Sequence, residues 1–214
     1  MSRRGDDSVS QQSTSATPTR PAIVTVIGSE STGKTTLVSD LGRHFDAVWV
    51  PEFARTYADH RRASGGGPLD ARDIDPIARG QISAEDNGVR RATSLLILDT
   101  DLVSTMVYAA HYYGSCPPWI EQAARERLAD LYLLADIDVP WVPDGVRDRP
   151  HLRAHVHDLF VRTIAALGSR SVTIRGSWDD RRAQAIRAVE RLLRDRESGR
   201  ASRRMVSQRP TRAE

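Results

Sequence analysis

Short apolar runs alternate along this 214-residue chain with longer stretches in which apolar residues recur at helical spacing. The runs are rich in valine, isoleucine and leucine, which is typical of strands buried on both faces. The pattern predicts strands at 23–27, 47–50, 94–98, 131–135 and 171–175, and helices at 35–45, 52–63, 71–93, 102–113, 119–128, about 151–167 and 179–196. Strands that alternate with helices favour an α/β fold with a parallel sheet covered on both faces.

The two ends of the chain differ in composition from the rest. Residues 1–20 are rich in serine, threonine, glutamine and arginine, and we expect a disordered tail there and one folded domain at 21–196. Residues 197–214 contain five arginines and two glutamates, a net charge of +3 that equals the charge of the whole chain. The rest is therefore neutral overall, and the basic segment is predicted to be a solvated, disordered tail without a specific nucleic-acid partner.

The composition also indicates in which compartment the protein is expected. No apolar run approaches the ~20 residues that cross a bilayer, so we expect no membrane span. The single cysteine, Cys116, rules out an intrachain disulfide and fits a reducing compartment. The sequence therefore predicts a cytoplasmic protein, and it leaves the oligomeric state open.

One segment carries the strongest chemical signal. The run GSESTGKT at 28–35 fits the phosphate-binding pattern G-x-x-x-x-G-K-[ST] at every fixed position. It lies between a predicted strand and a predicted helix, and its Lys34 is the only lysine of the chain, against thirty arginines. We therefore expect a nucleoside triphosphate, ATP, to bind through Gly28, Ser29, Glu30, Ser31, Thr32, Gly33, Lys34, Thr35 and Thr36.

The remaining motifs narrow the class of nucleotide protein. The guanine-reading motif Asn-Lys-x-Asp cannot occur, because the only lysine belongs to the phosphate loop. Asp99 ends a buried strand and is the expected partner of Thr35 in holding Mg²⁺, although an aspartate there could also cap the next helix. An acid after the second strand and an arginine-rich loop favour a small-molecule kinase over a GTPase or a transporter ATPase.

Three further residues are candidates for the acceptor side. Glu52 follows the second strand and could take the proton of an attacking hydroxyl, with Arg55 on the same helix face. The alternative for these two is a surface ion pair. Asp101 could contact substrate, and even act as the base in place of Glu52, or it could cap a helix.

A polar, arginine-rich connection at about 137–152 is predicted to form a lid. Its Arg147 and Arg149 would place guanidinium groups on the transferred phosphoryl group, unless they are an ordinary surface pair. Trp178, after the last strand, could border the adenine ring or simply pack. His151 and His155 have no third ligand nearby and are predicted to be solvated.

Four blocks in order carry a family resemblance: GSESTGKTT at 28–36, PEFAR at 51–55, LDTD at 98–101 and WVPDGVR at 141–147. Together they resemble the ribosylnicotinamide kinase domain of the NadR family, an AAA group. The resemblance implies a three-layer P-loop fold of the nucleoside and nucleotide kinase type, with five parallel strands in the order 2-3-1-4-5. It also implies ATP-dependent phosphorylation of the 5′-hydroxyl of nicotinamide riboside, giving nicotinamide mononucleotide in NAD biosynthesis.

The same resemblance assigns roles to residues. Lys34, Thr35 and Asp99 would serve MgATP, whereas Glu52, Arg55 and Asp101 would face the riboside and Arg147 would close from the lid. The chain has no H-x-G-H motif, so we expect neither adenylyl transfer nor operator binding. Family members hold the pyridine ring between aromatics at a position that is Pro51 here and in the region of 71–93, which has none, so we expect a different acceptor pocket.

Two other functions stay open at this stage. The chain could be a regulatory nucleotide switch, or a lipid- or partner-binding NTPase that uses its basic segment. It could also be another nucleoside or nucleotide kinase.

Overall fold

The computed structural model describes residues 20–141 and 152–207, in which strands and helices alternate as the sequence predicts. The strands are β1 (Ala22–Ile27), β2 (Val48–Val50), β3 (Leu95–Asp99), β4 (Leu131–Ala135) and β5 (Ser171–Ile174). The helices are α1 (Lys34–Phe45), α2 (Phe53–Ala63), α3 (Ile74–Arg91), α4 (Leu102–Tyr113), α5 (Pro118–Glu126), α6 (Arg153–Ala166) and α7 (Trp178–Ser207).

The strands form one parallel sheet in the order β2-β3-β1-β4-β5, so the predicted order is confirmed. β1 is central, with Val24 opposite Ile97 of β3 and Leu131 of β4. All residues of β1, β3 and β4 are buried, because helices cover both faces of a parallel sheet. The carboxyl ends of β1, β3 and β4 meet at one edge, where ligands bind in such sheets.

Two apolar cores lie on opposite faces of the sheet. One face is covered by α1 and α7, with the buried residues Leu37, Val38, Leu41, Ala185 and Val189. The other is covered by the helices from α3 to α6, with Ala78, Val103, Val107, Ile120 and Phe160. The architecture is therefore three-layered, as expected of a P-loop kinase fold.

The region predicted as one helix at 71–93 is divided in the structure. A 3-10 turn at Ala71–Asp73 is capped by Asp70, and α3 follows it. The buried positions of α3 keep helical spacing, but they include Gln81 and Glu85 as well as apolar residues. This polar content explains why the apolar periodicity of the segment is weak.

The last helix is longer than the sequence predicts. It continues past Arg196 to Ser207, through residues without proline that tolerate helical geometry. Residues 208–214 and the predicted N-terminal tail, apart from Arg20, lie outside the described ranges, so the division into domain and tails stays a prediction. Between residues 20 and 207, leaving aside 142–151, we find no helix with the length and apolar content to cross a membrane.

Candidate active site

The phosphate loop connects the end of β1 to the start of α1. Gly28 has φ 137°, and a Cβ there would lie 2.7 Å from the carbonyl oxygen of Ala135, so the loop passes β4 too closely for a side chain. Gly33 has φ 78° and is the N-cap residue of α1. The first turn of α1 therefore faces the loop with its unpaired backbone N–H groups and the positive end of its dipole.

Lys34 is directed into this loop. Its side chain is buried, and Nζ donates a hydrogen bond of 2.9 Å to the carbonyl oxygen of Ser29. The hydroxyl of Thr32 donates to the same oxygen, also at 2.9 Å. The ammonium group thus lies within a compact loop whose size suits a phosphate group.

Thr35 and Asp99 are brought together as the sequence predicts. The Thr35 hydroxyl donates to Asp99 Oδ2 at 2.6 Å, whereas Asp99 Oδ1 is buried with no hydrogen-bond partner among the described residues. Burial raises the pKa of Asp99 and the negative charge of Glu52 raises it further, while the Thr35 hydrogen bond lowers it. A hydroxyl beside an unsatisfied, buried carboxylate oxygen is a donor set that fits Mg²⁺ bound to phosphates.

Glu52 lies at the carboxyl end of β2, at the N-cap position of α2. Its side chain is buried, and Arg55 Nε lies 3.8 Å from its Oε2. Because Val50 of β2 pairs with Leu98 of β3, Glu52 and Asp99 both lie at the carboxyl ends of adjacent strands. The next residue, Phe53, donates its backbone N–H to Gln81 Oε1 at 3.1 Å, which fixes α2 against α3. Glu52 is therefore held beside the nucleotide side of the site.

Both carboxylate oxygens of Asp101 have hydrogen-bond partners within the protein. Its Oδ1 accepts from the backbone N–H of Val103 and caps α4, and its Oδ2 accepts from the Tyr132 hydroxyl at 2.8 Å. Burial raises its pKa to about 6. These two hydrogen bonds favour the alternative in which Asp101 caps α4. A contact between Asp101 and the substrate stays a prediction.

A cavity of about 500 Å³ opens beside Glu52. Tyr108, Tyr112 and Tyr113 of α4 form one part of its lining, and Glu52 and residues 66–70 contribute to the rest. The rings of Tyr108 and Tyr112 are parallel within 8°, with centroids 5.9 Å apart. The sequence analysis did not identify these tyrosines, although their spacing of four and five residues on the helix after Asp101 was a usable signal.

A family model described as an AAA domain matches residues 23–181. The chain belongs to this AAA domain family. The trifunctional NAD biosynthesis/regulator protein NadR of Salmonella typhimurium is 33% identical over 124 residues, which are 58% of this chain and 30% of that protein. The chain thus spans less than a third of the length of this relative.

Two solved NadR structures resemble the AAA domain described here. NadR in complex with NR has a TM-score of 0.70 and 29% identity, over 81% of this chain and 52% of that one. NadR in complex with NAD and AMP-PNP has a TM-score of 0.67 and 28% identity, over 81% and 49%. The chain is therefore a NadR-like P-loop domain with the kinase fold and a nucleotide-binding loop.

Two arginines that were not predicted from the sequence donate hydrogen bonds to carbonyl oxygens of the phosphate loop. Arg181 is only 2% exposed and donates to the carbonyl oxygens of Thr32, at 3.3 Å, and Gly176, at 3.0 Å. Arg153 donates to the carbonyl oxygen of Ser31 at 3.1 Å. Both arginines therefore hold carbonyl groups of the loop by hydrogen bonds. Because arginine is the default cation of this chain, neither residue stood out in the sequence.

The remaining predicted residues are placed as follows. Trp178 begins α7 and is 55% exposed, and a Cβ on Gly33 would lie 2.4 Å from its ring, so the indole packs directly on the loop. Arg147 and Arg149 lie within 142–151, outside the described residues. Among the residues that the structure describes, no group of three or more His, Cys, Asp or Glu could hold a metal ion.

Proposed function

We propose that this domain is an ATP-dependent kinase that phosphorylates the 5′-hydroxyl of nicotinamide riboside, giving nicotinamide mononucleotide. ATP binds through residues 28–36, and the riboside occupies the cavity beside Glu52. The observation that carries the proposal is the position of Glu52, which lines the cavity and follows β2, next to the strand β3 that ends in Asp99. One carboxylate therefore adjoins both proposed substrates.

The nucleotide half of the proposal depends on the loop and on the Thr35–Asp99 pair. Lys34 would exchange its contact with the Ser29 carbonyl for the β- and γ-phosphates. Thr35 and Asp99 would hold Mg²⁺, which neutralises developing phosphate charge when it is bound. Trp178, packed on Gly33, offers an exposed indole for the adenine ring.

The acceptor half depends on the chemistry of the cavity. Nicotinamide riboside combines a flat, positively charged pyridinium ring with a ribose. Tyrosine faces attract a cationic ring, and a buried carboxylate nearby adds to that attraction. The cavity provides both, through its wall of three tyrosines and through Glu52. A relative of known structure that binds NR adds support from similarity.

The transfer step follows from these positions. The 5′-hydroxyl oxygen attacks the γ-phosphorus while its proton passes to a Glu52 carboxylate oxygen. The bond between the γ-phosphorus and the β–γ bridging oxygen breaks, and ADP carries the electron pair away. Arg55, within 3.8 Å of Glu52, stabilises the carboxylate before it takes the proton.

Acceptor-dependent ADP formation tests the proposal. The purified chain is mixed with MgATP and with one compound at a time: nicotinamide riboside, nicotinic acid riboside, adenosine, thymidine or thymidine monophosphate. We expect nicotinamide riboside to raise ADP formation well above the rate with ATP alone. Stimulation by thymidine or its monophosphate alone would assign another kinase activity, and no stimulation by any acceptor would overturn the proposal.

A further inference from the structure

The tyrosine wall of the cavity is hydrogen-bonded to the phosphate loop. The Tyr112 hydroxyl donates to Glu30 Oε1 at 2.6 Å, and the Tyr108 hydroxyl donates to the carbonyl oxygen of Gly28 at a longer 3.4 Å. Gly28 and Glu30 lie in the loop, whereas both tyrosines lie on α4 and line the cavity. The two halves of the site are therefore connected through direct contacts between side chains and loop.

Tyr112 borders two cavities. One side of it lines the acceptor cavity, and it also lines a second, smaller recess beside Ser29, Glu30 and Arg153. Its ring is parallel to that of Tyr108, so a rotation of Tyr112 would disturb the neighbouring ring as well. The orientation of this one ring affects the shape of the cavity on one side and the position of the loop on the other.

The hydrogen bond between the Tyr112 hydroxyl and Glu30 is short and largely shielded from solvent. Glu30 is only 9% exposed, and a hydroxyl that donates to a buried carboxylate forms a short, charge-assisted hydrogen bond. A carboxylate inside a phosphate-binding loop is repelled by a bound triphosphate, and the Tyr112 hydroxyl holds this one on the α4 side. When a nucleotide orders the loop, the same bond holds the tyrosine ring in place.

We propose that Tyr112 is a positioning residue that couples the two binding sites, so that nucleotide and acceptor each strengthen the binding of the other. This inference rests on the proposed function, because it takes the tyrosine-lined cavity as the acceptor site. The coupling is carried by the hydroxyl of Tyr112 and not by its ring. Removal of that oxygen alone therefore separates the two roles of the residue.

Calorimetric titration of Tyr112→Phe tests the coupling. The dissociation constant for nicotinamide riboside is measured with and without saturating MgAMP-PNP. In the unmodified chain we expect the nucleotide to tighten riboside binding by a factor within the usual range of about 5- to 150-fold. In Tyr112→Phe the factor should fall close to one, whatever the affinity of this variant for the riboside without nucleotide.

A matched variant controls for the loss of any tyrosine hydroxyl. Tyr57 also donates to a carboxylate, that of Asp73 at 3.0 Å, but Asp73 belongs to the turn before α3 and not to the phosphate loop. Tyr57→Phe should keep the coupling factor of the unmodified chain. If Tyr112→Phe keeps it too, or if the unmodified chain shows no coupling, the inference is wrong.

A second readout does not depend on the acceptor. The chain is labelled with 3-fluorotyrosine, and the Tyr112 resonance is assigned from its absence in Tyr112→Phe. Saturating MgAMP-PNP should shift this resonance, and Glu30→Ala should abolish most of the shift. If the chain binds no riboside at all, the proposed function fails, and this shift alone then decides the inference: an unmoved Tyr112 resonance overturns it.

Discussion

The two halves of the site are built in opposite ways. The proposed nucleotide half consists of one continuous stretch at 28–36, supplemented by Asp99, and backbone N–H groups of the loop and of the first turn of α1 are its main candidate donors. The proposed acceptor half is assembled from residues between Glu52 and Tyr113, which come from α2, the segment at 66–70, α3 and α4, and it is lined mainly by side chains. A local backbone motif therefore serves one substrate, and tertiary packing creates the place for the other.

The two halves therefore differ in how freely their residues can change. A triphosphate presents the same charges to every enzyme, and a loop of fixed glycines and one ammonium group suffices to bind it. An acceptor is recognised by shape and by a few side chains. The cavity can thus change while the loop stays the same, as the tyrosines of α4 illustrate in a chain that lacks aromatics at 71–93.

Glu52→Gln changes the carboxylate that lies between the two halves, and we expect it to have the largest effect on activity. The amide cannot take the proton of the acceptor hydroxyl, so we expect kcat to fall by about 10²- to 10⁴-fold while ATP still binds. Steady-state kinetics and calorimetry with AMP-PNP measure the two effects. Glu190→Gln, on the exposed surface of α7, should keep normal kcat. A normal kcat in Glu52→Gln would remove Glu52 from the reaction.

Lys34→Met removes the only ammonium side chain and leaves the acceptor half untouched. We expect kcat/KM for ATP to fall by about 10²- to 10³-fold, since one preorganised contact to the transferred phosphoryl group is lost. A coupled ADP assay gives the rate. Arg43→Met changes a largely exposed cation on the same helix and should have no comparable effect. ATP consumption at an unchanged rate in Lys34→Met would contradict the account.

Glu85→Gln tests the buried polar layer behind the acceptor half. Glu85 accepts hydrogen bonds from Gln81 and Arg127, and burial, assisted by the charge of Asp101, raises its pKa from 4.5 to about 7. The folded chain therefore holds a proton that the unfolded chain releases between those pH values. The resulting stability is fully present below about pH 4.5 and is lost as the pH rises through about 7.

Urea unfolding at pH 5 and pH 8 measures this effect. The glutamine variant should lose less unfolding free energy between the two pH values than the unmodified chain, by up to about 3 kcal/mol. Some pH dependence of the same sign should remain, because the pKa of Asp101 is raised too. Asp75→Asn, a half-exposed carboxylate paired with Arg79, serves as the control. An unchanged pH dependence in Glu85→Gln would show that Glu85 is ionised in the fold.

Trp178→Leu tests the nucleotide half alone, and we expect it to have the smallest effect of these variants. If the indole borders the adenine ring, its loss should raise KM for ATP about threefold to tenfold and leave KM for the acceptor unchanged. Initial rates at varied ATP and at varied acceptor separate the two constants. Trp49→Leu, on β2 and packed against Gly42, should change neither. An equal rise in both constants in Trp178→Leu would point to a disturbed loop.

The same contrast explains what the sequence could predict. The strand order, the phosphate loop and the Thr35–Asp99 pair depend on local patterns and on a resemblance carried by contiguous blocks. The buried face of α3 was hard to recognise because Gln81 and Glu85 occupy positions that are usually apolar. Arg181 was missed because one arginine among thirty has no distinguishing neighbour in the sequence. Its hydrogen bonds join the phosphate loop to the residues after β4 and β5, which are distant in the sequence.

Identification of the phosphorylated product tests the central claim most directly. The chain is incubated with MgATP and nicotinamide riboside, and phosphorus NMR and mass spectrometry follow every phosphate-containing species. We predict one 5′-phosphomonoester of the riboside for each ADP, and far less of both products with Lys34→Met. ADP that accumulates with inorganic phosphate while the riboside stays unmodified would contradict it.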